Sequence, residues 1–234
     1  MNKQSEIRII LKYITFMKIA ERLGDLSYDE KHQVGSILAK KDFTNITAIG
    51  FNGNYSGGEN ERDSMEHGMS GYLHAEENLI GNTAHTKEEV SQYYRAFVTM
   101  TPCNMCAKRL LGKGVKEIIY LNSYENCGNS HEIFESVDAS CKTLEDIVVE
   151  LFDNTMFTIE LDKLLRGMGD YKLDTTEINH LFNKQIQSIF GIELSRKKYL
   201  SSYEDSNLVF LDQDIESVKK AYKKYFFRKL YSIL

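Results

Sequence analysis

The sequence predicts a layered α/β domain with a mixed, partly parallel sheet, followed by a mainly helical C-terminal extension. Three observations predict it. Segments with helical periodicity alternate with short β-rich runs in the order α-β-β-α-β-α-β-α over the first 145 residues. Beyond Thr143 that alternation fades into Tyr-, Phe-, Leu- and Lys-rich sequence with helical spacing. The composition, 42% hydrophobic and 27% charged over 234 residues, suits one large globular domain or a compact domain with a smaller appendage.

Taken in order, Ile7, Ile10, Leu11, Ile14, Met17, Ile19 and Leu23 recur at three- and four-residue steps and predict an amphipathic helix ending near Gly24. Val34–Ala39 and Ile46–Phe51 read as two strands joined by the turn-like Lys40-Lys41-Asp42 stretch. Asn52–Gly58 is rich in residues that tolerate positive φ and reads as a loop, and Glu59–Ser70 has no periodicity and reads as irregular. A helix is expected from His74 to Gly81, a strand over Phe97–Met100 and a helix carrying Ala107, Leu110 and Leu111 that stops at Gly112. A further strand over Ile118–Leu121 precedes a helix marked by Ile133, Phe134 and Val137. Leu144–Phe152 is short enough to be helix or strand. The domain boundary falls near residue 145, giving 1–145 as the α/β domain and 146–234 as the extension.

Net charge is −5, which argues against a broad nucleic-acid-coating surface. Four cysteines are too few for a disulfide-stapled secreted domain, and the apolar start is interrupted by Arg8, Lys12 and Lys18, unlike a signal peptide. No stretch approaches a membrane span, so a cytoplasmic protein without a membrane partner is expected.

The densest chemistry lies in two short pieces. His74-Ala75-Glu76 opens one expected helix, and Pro102-Cys103-Asn104-Met105-Cys106 joins a strand to another. Two cysteines three apart on one helical turn point their sulfurs the same way, and a helix N-terminus favours thiolates. By itself such a pair also fits a redox couple or half of a structural zinc site. With His74 as a third ligand, one tetrahedral position is left for water, the arrangement of a catalytic zinc. Glu76 would then stand beside that water as a proton carrier.

These pieces resemble the zinc-dependent nucleobase deaminases, whose signature is H-x-E…P-C-x-x-C, and within them the deoxycytidylate (dCMP) deaminase family. His74-Ala75-Glu76-Glu77-Asn78-Leu79-Ile80 is similar to H-A-E-x-N-A-I, and Pro102–Lys108 matches P-C-N-x-C-A-K. Val34-Gly35-Ser36-Ile37 and Gly50-Phe51-Asn52-Gly53 resemble the V-G-A-x-I and G-Y-N-G of the first two strands, so the likeness covers residues 6 to 145. Ala107-Lys108 fits this family better than the Gly-Ala that follows the second Cys in tRNA adenosine deaminases. Two departures stand out: Tyr55 occupies the loop position of a proline, and Leu79 replaces an alanine on the zinc helix.

The resemblance implies a cytidine-deaminase-like three-layer fold around a central mixed sheet, and hydrolytic deamination of dCMP to dUMP and ammonia. It implies zinc held by His74, Cys103 and Cys106, with Glu76 moving protons. The Ala75 backbone N–H would bind the pyrimidine O2, Asn52 the sugar, and Tyr124 the base, although an aromatic at a strand end is also commonly core or rim. It also implies a homo-oligomer, often a hexamer, regulated by dCTP and dTTP. Which cation holds the phosphate is not legible.

Two other readings compete. A deaminase acting on a base within RNA or single-stranded DNA would need an electropositive track with stacking aromatics. A non-catalytic zinc-binding regulatory protein would leave Glu76 idle. Cys127 and Cys141, with His67 or His131, have spacing unlike a closed zinc pattern and read as ordinary thiols rather than a second metal site. His32, His85 and His180 read as surface or hydrogen-bonded histidines, and Glu66 and Glu77 as exposed carboxylates. From Ile215 to Leu234 the residues Ile215, Val218, Tyr222, Tyr225, Phe226 and Leu230 form an apolar stripe among Lys219, Lys220, Lys223, Lys224, Arg228 and Lys229. That helix is expected to pack its stripe and leave its cations in solvent, supporting assembly rather than binding nucleic acid.

Overall fold

The computed structural model describes residues 3–66, 69–125 and 127–152, together with 223–224, 227–228 and 230–232. Two units are distinguished, Lys12–Leu144 and a second made of Met1–Leu11 with Glu145–Leu234. Helix α1 (Lys3–Gly24) is followed by strands β1 (Gly35–Lys40) and β2 (Ile46–Phe51), helices α2 (Ala75–Gly81) and α3 (Lys87–Tyr93), and strand β3 (Tyr94–Met100). Helix α4 (Asn104–Lys113), strand β4 (Glu117–Asn122), helix α5 (Ser130–Glu135), strand β5 (Ser140–Thr143) and helix α6 (Leu144–Phe152) complete the described elements in that stretch.

The first unit is built on a five-stranded sheet of order β2-β1-β3-β4-β5. β1 runs antiparallel to β2 and β3, whereas β3, β4 and β5 are parallel, joined by crossovers through α4 and α5. Side chains alternate between two buried faces. Leu38, Ala96, Val98 and Ile118 join Leu79 of α2, Ala107 and Leu110 of α4 and Phe134 of α5 in one core. Phe97, on the opposite face of β3, lies 6.1 and 5.9 Å ring to ring from Tyr13 and Phe16 of α1. The unit is therefore a three-layer α/β/α sandwich with a central mixed sheet, as the sequence predicts.

Close backbone packing explains two glycines of the strand motifs. A Cβ on Gly35 would lie 1.9 Å from the Ala20 carbonyl oxygen, so glycine lets α1 approach β1. A Cβ on Gly50 would meet the Ala75 carbonyl oxygen at 2.2 Å, so glycine lets the first turn of α2 lie against β2. Ser36, buried between them, donates its hydroxyl to the carbonyls of Ala75 and Gly50 at 2.9 and 3.2 Å.

Two elements escaped the sequence reading. α3 has only Val90 buried and so lacks an apolar stripe; its mark is the capping box in which Thr86 Oγ1 accepts from the Glu89 N–H and Glu89 reaches back to the Thr86 N–H at 2.9 Å. β5 is a four-residue edge strand, Ser-Cys-Lys-Thr, too short and polar for a period to emerge. α4 passes Gly112 and ends where Gly114 takes φ 100° as a left-handed cap. α5 lies earlier than expected, over Ser130–Glu135, leaving Val137 exposed. Leu144–Phe152 is helical.

In the second unit the basic C-terminal helix falls mostly outside the described residues. Of the expected stripe only Leu230 is among the described residues, and it is buried; Phe227, which the sequence reading left out of the stripe, is buried as well. One cation, Lys223, departs from the expectation of a solvated face, whereas Arg228 stays exposed. Lys223 is 6% exposed, and burial lowers its pKa, while Lys224 and Arg228 both pair with Glu145 at 2.9 and 3.0 Å. Among the described residues no helix is long and apolar enough to cross a membrane.

Candidate active site

The site forms where β3 and β4 end, beside the start of β1, because the antiparallel register sets Ser36 opposite Val98 and the parallel register sets Met100 opposite Asn122. Two helices begin there. His74 and Cys103 are their N-caps, both in extended backbone conformation, and Cys106 lies on the first turn of α4. His74 Nδ1 is 3.3 Å from Cys106 Sγ and 3.7 Å from Cys103 Sγ, and all three ligand atoms lie within 4.8 Å of one another. A tetrahedral ion with bonds of about 2.0–2.3 Å holds its ligands about 3.4–3.8 Å apart, so this set fits zinc, and two sulfurs with one imidazole are donors that zinc favours. It is also the only His/Cys/carboxylate cluster of this kind among the described residues.

The electrostatics match a cation-ready site. The Cys103 thiol is lowered to about 3, first by the hydrogen bond from Cys106 and also by His74, while Cys106 is correspondingly pushed up. His74 is raised by its bond to Cys103. Metal binding to such thiols displaces their protons. Glu76 is 4% exposed, and desolvation raises its carboxyl above the ordinary carboxylate range.

Beyond the ligands, α2 is anchored by residues the sequence reading treated as ordinary. Glu77 is not a free surface carboxylate. One oxygen accepts from the His74 N–H at 2.7 Å, and the other pairs with Arg109 of α4, tying the two ligand-bearing helices together. The His74-x-x-Glu77 capping spacing was the available signal. Asn78 donates to the Phe51 carbonyl at 2.8 Å, which holds the loop after β2 against α2.

A cavity of about 310 Å³ opens onto Glu76 and the ligands His74 and Cys103. Asn52, Ala75 and Tyr124, the three residues expected around a substrate, all line it. Ala75 is the first residue of α2, where a backbone N–H has no acceptor within the helix. Asn52 is buried and held from all sides: its Oδ1 accepts from the Val34 N–H at 2.8 Å, and its Nδ2 donates to His32 O at 2.7 Å and Asp29 Oδ2 at 3.2 Å. Tyr124 is raised by burial.

His32, read from sequence as a surface histidine, instead lies on the cavity wall with its ring 6.0 Å from that of Tyr124, nearly perpendicular. Asp29, Lys31, Arg62 and Tyr72 also line the cavity and had no mark in the sequence, since all come from irregular segments. His85 stacks on Tyr94 at 4.6 Å, away from the cavity lining. Cys127 and Cys141 form no metal cluster among the described residues, and burial raises Cys141 to about 12. His67 and His180 lie outside the described residues.

Comparison with known proteins places the chain among zinc-binding deaminases. The family model for the cytidine and deoxycytidylate deaminase zinc-binding region matches residues 11–122. The deoxycytidylate deaminase of Homo sapiens is 30% identical over 115 residues, covering 46% of this chain and 62% of that protein. An uncharacterised deaminase encoded in the luxG 3′ region of Aliivibrio fischeri is 31% identical over 105 residues, covering 44% of this chain and 67% of that protein. The chain thus spans about three fifths to two thirds of the length of these relatives. Among solved structures, the dCMP deaminase of cyanophage S-TIM5 in complex with dCMP and dUMP is 26% identical, with a TM-score of 0.48, covering 55% of this chain and 93% of that one. With its zinc ligand set brought together on two helix starts, the chain belongs to the cytidine and deoxycytidylate deaminase family of zinc-binding proteins.

Proposed function

We propose that this protein deaminates dCMP hydrolytically, forming dUMP and ammonia. The observation that carries the proposal is a buried carboxyl, Glu76, on the helix start that His74 caps, lining with His74 and Cys103 a cavity that also contains Asn52, Ala75 and Tyr124. His74, Cys103 and Cys106 would hold zinc, which when bound would supply the Lewis acidity that lowers the pKa of water toward neutrality.

The chain's own groups do the remainder. Ala75 donates its N–H to the pyrimidine O2 and sets C4 toward Glu76. Asn52 is locked by three protein hydrogen bonds and keeps one Oδ1 lone pair for a sugar hydroxyl. Tyr124 packs beside the base. Glu76 accepts a proton from the attacking water and delivers it to N3; it then carries the second proton to the leaving amine, so that C4–N breaks as C4=O forms. Burial suits this work, because a carboxyl raised toward neutrality both takes and returns a proton readily.

The free thiols this site needs fit a reducing compartment such as the cytoplasm. A homo-oligomer regulated by dCTP and dTTP is carried over from the resemblance, and sedimentation with and without those nucleotides tests it. The substrate assignment is tested by incubating zinc-loaded protein with dCMP, dCTP, deoxycytidine and a cytosine-containing oligonucleotide and assaying ammonia. Fastest release from dCMP is expected. Faster release from another of the four would keep the chemistry and replace the substrate.

A further inference from the structure

We infer that Lys31 and Arg62 form the subsite that reads a terminal phosphate monoester on the substrate, a deepening that rests on the nucleotide reading above. Four residues with full or potential positive charge line the cavity, Lys31, Arg62, His32 and His74, against the carboxyls of Asp29 and Glu76 and the thiol of Cys103, the last two at the metal end. His74 and Glu76 belong to the chemistry of the metal end. The other end is therefore where an anion would be held.

Asp29 does not cancel the two cations beside it. Its carboxylate is saturated locally: one oxygen takes the backbone N–H groups of Lys31 and His32 at 2.8 and 3.3 Å and the ion pair with Arg62, and the other takes Asn52 Nδ2 at 3.2 Å. Its role is to hold these four residues in place. Arg62 is nine-tenths buried, donates Nε to Ser64 O at 3.3 Å and stacks its guanidinium 6.0 Å from the Tyr72 ring. Two of its five N–H donors are thereby used, and the rest of the fork has no acceptor among the described residues. Lys31 gives one ammonium proton to Met65 O and has no acid within ion-pair distance among the described residues. Glu30, Glu61 and Asp63, the other acids close by in sequence, are exposed and do not line the cavity.

The placement also selects the ligand. Asn52, assigned above to the sugar, is joined to Arg62 through a single carboxylate, so the cations lie next to the sugar position and not next to the base. With the Asp29 carboxylate already taken up by its own partners, a planar fork and a point charge side by side suit the several oxygens of a terminal phosphate. A cavity of about 310 Å³ is at the small end of ligand pockets, which span about 300–1,000 Å³, and accommodates one nucleotide rather than a strand.

The test uses full-length, zinc-loaded protein and direct calorimetry with dUMP, deoxyuridine and a short uridine-containing oligodeoxynucleotide, so it does not depend on turnover. The wild type is expected to bind dUMP at least tenfold more tightly than deoxyuridine or an internal uridine. Lys31→Gln should narrow the dUMP-to-deoxyuridine ratio by roughly 10- to 100-fold, the scale of a charge-assisted hydrogen bond. Arg62→Gln should do the same, with Arg62→Lys as the partner variant because loss of the guanidinium leaves Asp29 buried and unpaired. Equal weakening of dUMP and deoxyuridine in Lys31→Gln and Arg62→Lys would reduce both residues to structural supports and overturn the subsite. Absence of dUMP binding would also overturn it, as would an oligonucleotide that binds as tightly as dUMP and loses that affinity in Lys31→Gln. Phosphate-dependent binding without ammonia release from dCMP would leave the subsite standing and remove the proposed activity instead.

Discussion

Where β3 begins, Arg95 is buried and answered by several partners; where β3 stops, Glu76 is buried and answered very little. Arg95 pairs with Glu117 at 3.2 Å, meets the Tyr13 hydroxyl, donates to Lys41 O at 3.1 Å and lies over the rings of Phe43 and Tyr13 at 4.8 and 5.1 Å. Only its Nε lacks an acceptor among the described residues. Glu76 has no ion pair among the described residues, and desolvation outweighs the hydrogen bonds from its own backbone N–H and from Cys106 and the pull of His74. The contrast separates two uses of a buried charge. A charge surrounded by fixed partners adds stability and specificity of packing, whereas a carboxyl left short of partners is costly to the fold and available for chemistry.

Removing the metal ligands should break the contrast most completely. The Cys103→Ser, Cys106→Ser double variant is expected to lose zinc, all turnover and a large part of the first unit's stability, because α2 and α4 would share no ion. Metal analysis with thermal melting checks this, and full zinc occupancy in that variant would remove the ligand assignment.

Glu76→Gln sharpens it. Glutamine preserves size and hydrogen bonding but cannot carry a proton, so turnover should fall by about 100- to 10,000-fold while zinc content and the fold persist. Near-wild-type dUMP formation by a fully metallated Glu76→Gln protein would falsify the proton-carrier role.

At the other end of the sheet the signs reverse. Arg95→Leu strands Glu117 and the Tyr13 hydroxyl, and is expected to lower stability by about 3 kcal/mol while zinc occupancy is retained. Denaturant unfolding together with metal analysis reads both quantities; loss of zinc without loss of stability would show that the two ends are not distinct.

The smallest effect is expected at the cap of α3, which leads into β3 beside Arg95. The Thr86 N–H and hydroxyl hold Glu89 below the ordinary carboxylate range. A carboxyl with a depressed folded pKa adds stability above its unfolded pKa, and that stability is lost as pH falls through the lower folded value. Glu89→Gln should therefore melt slightly below the wild type at pH 7, with the gap closing as pH drops below about 4. A gap that widened in acid would reverse the assigned sign.

Much of the site was legible before the fold, and for a local reason. Cys103 and Cys106 are three residues apart, so one helical turn aligns them whatever surrounds it, and His74 and Glu76 likewise share a helix start. β1 and β4 showed themselves through buried apolar runs, β2 through its β-rich composition although it is only partly buried, and Gly35 and Gly50 through motifs whose reason is close backbone approach. α3 and β5 were not legible, because one has a single buried residue and the other only four residues, and neither length nor period separates such segments from loop. Glu77 was misjudged because its partner Arg109 is 32 positions away on another helix.

By itself, then, the sequence made legible the two chemical pieces, His74-x-Glu76 and Cys103-x-x-Cys106, and the layered order of strands and helices, because spacings of two to four residues within single elements carry them. Only the tertiary structure decided what surrounds that chemistry. Asp29, Lys31, His32, Arg62 and Tyr72 come from irregular segments and meet Asn52 and Tyr124 across gaps of up to 95 positions, a juxtaposition set by sheet register and loop closure rather than by any period in the chain.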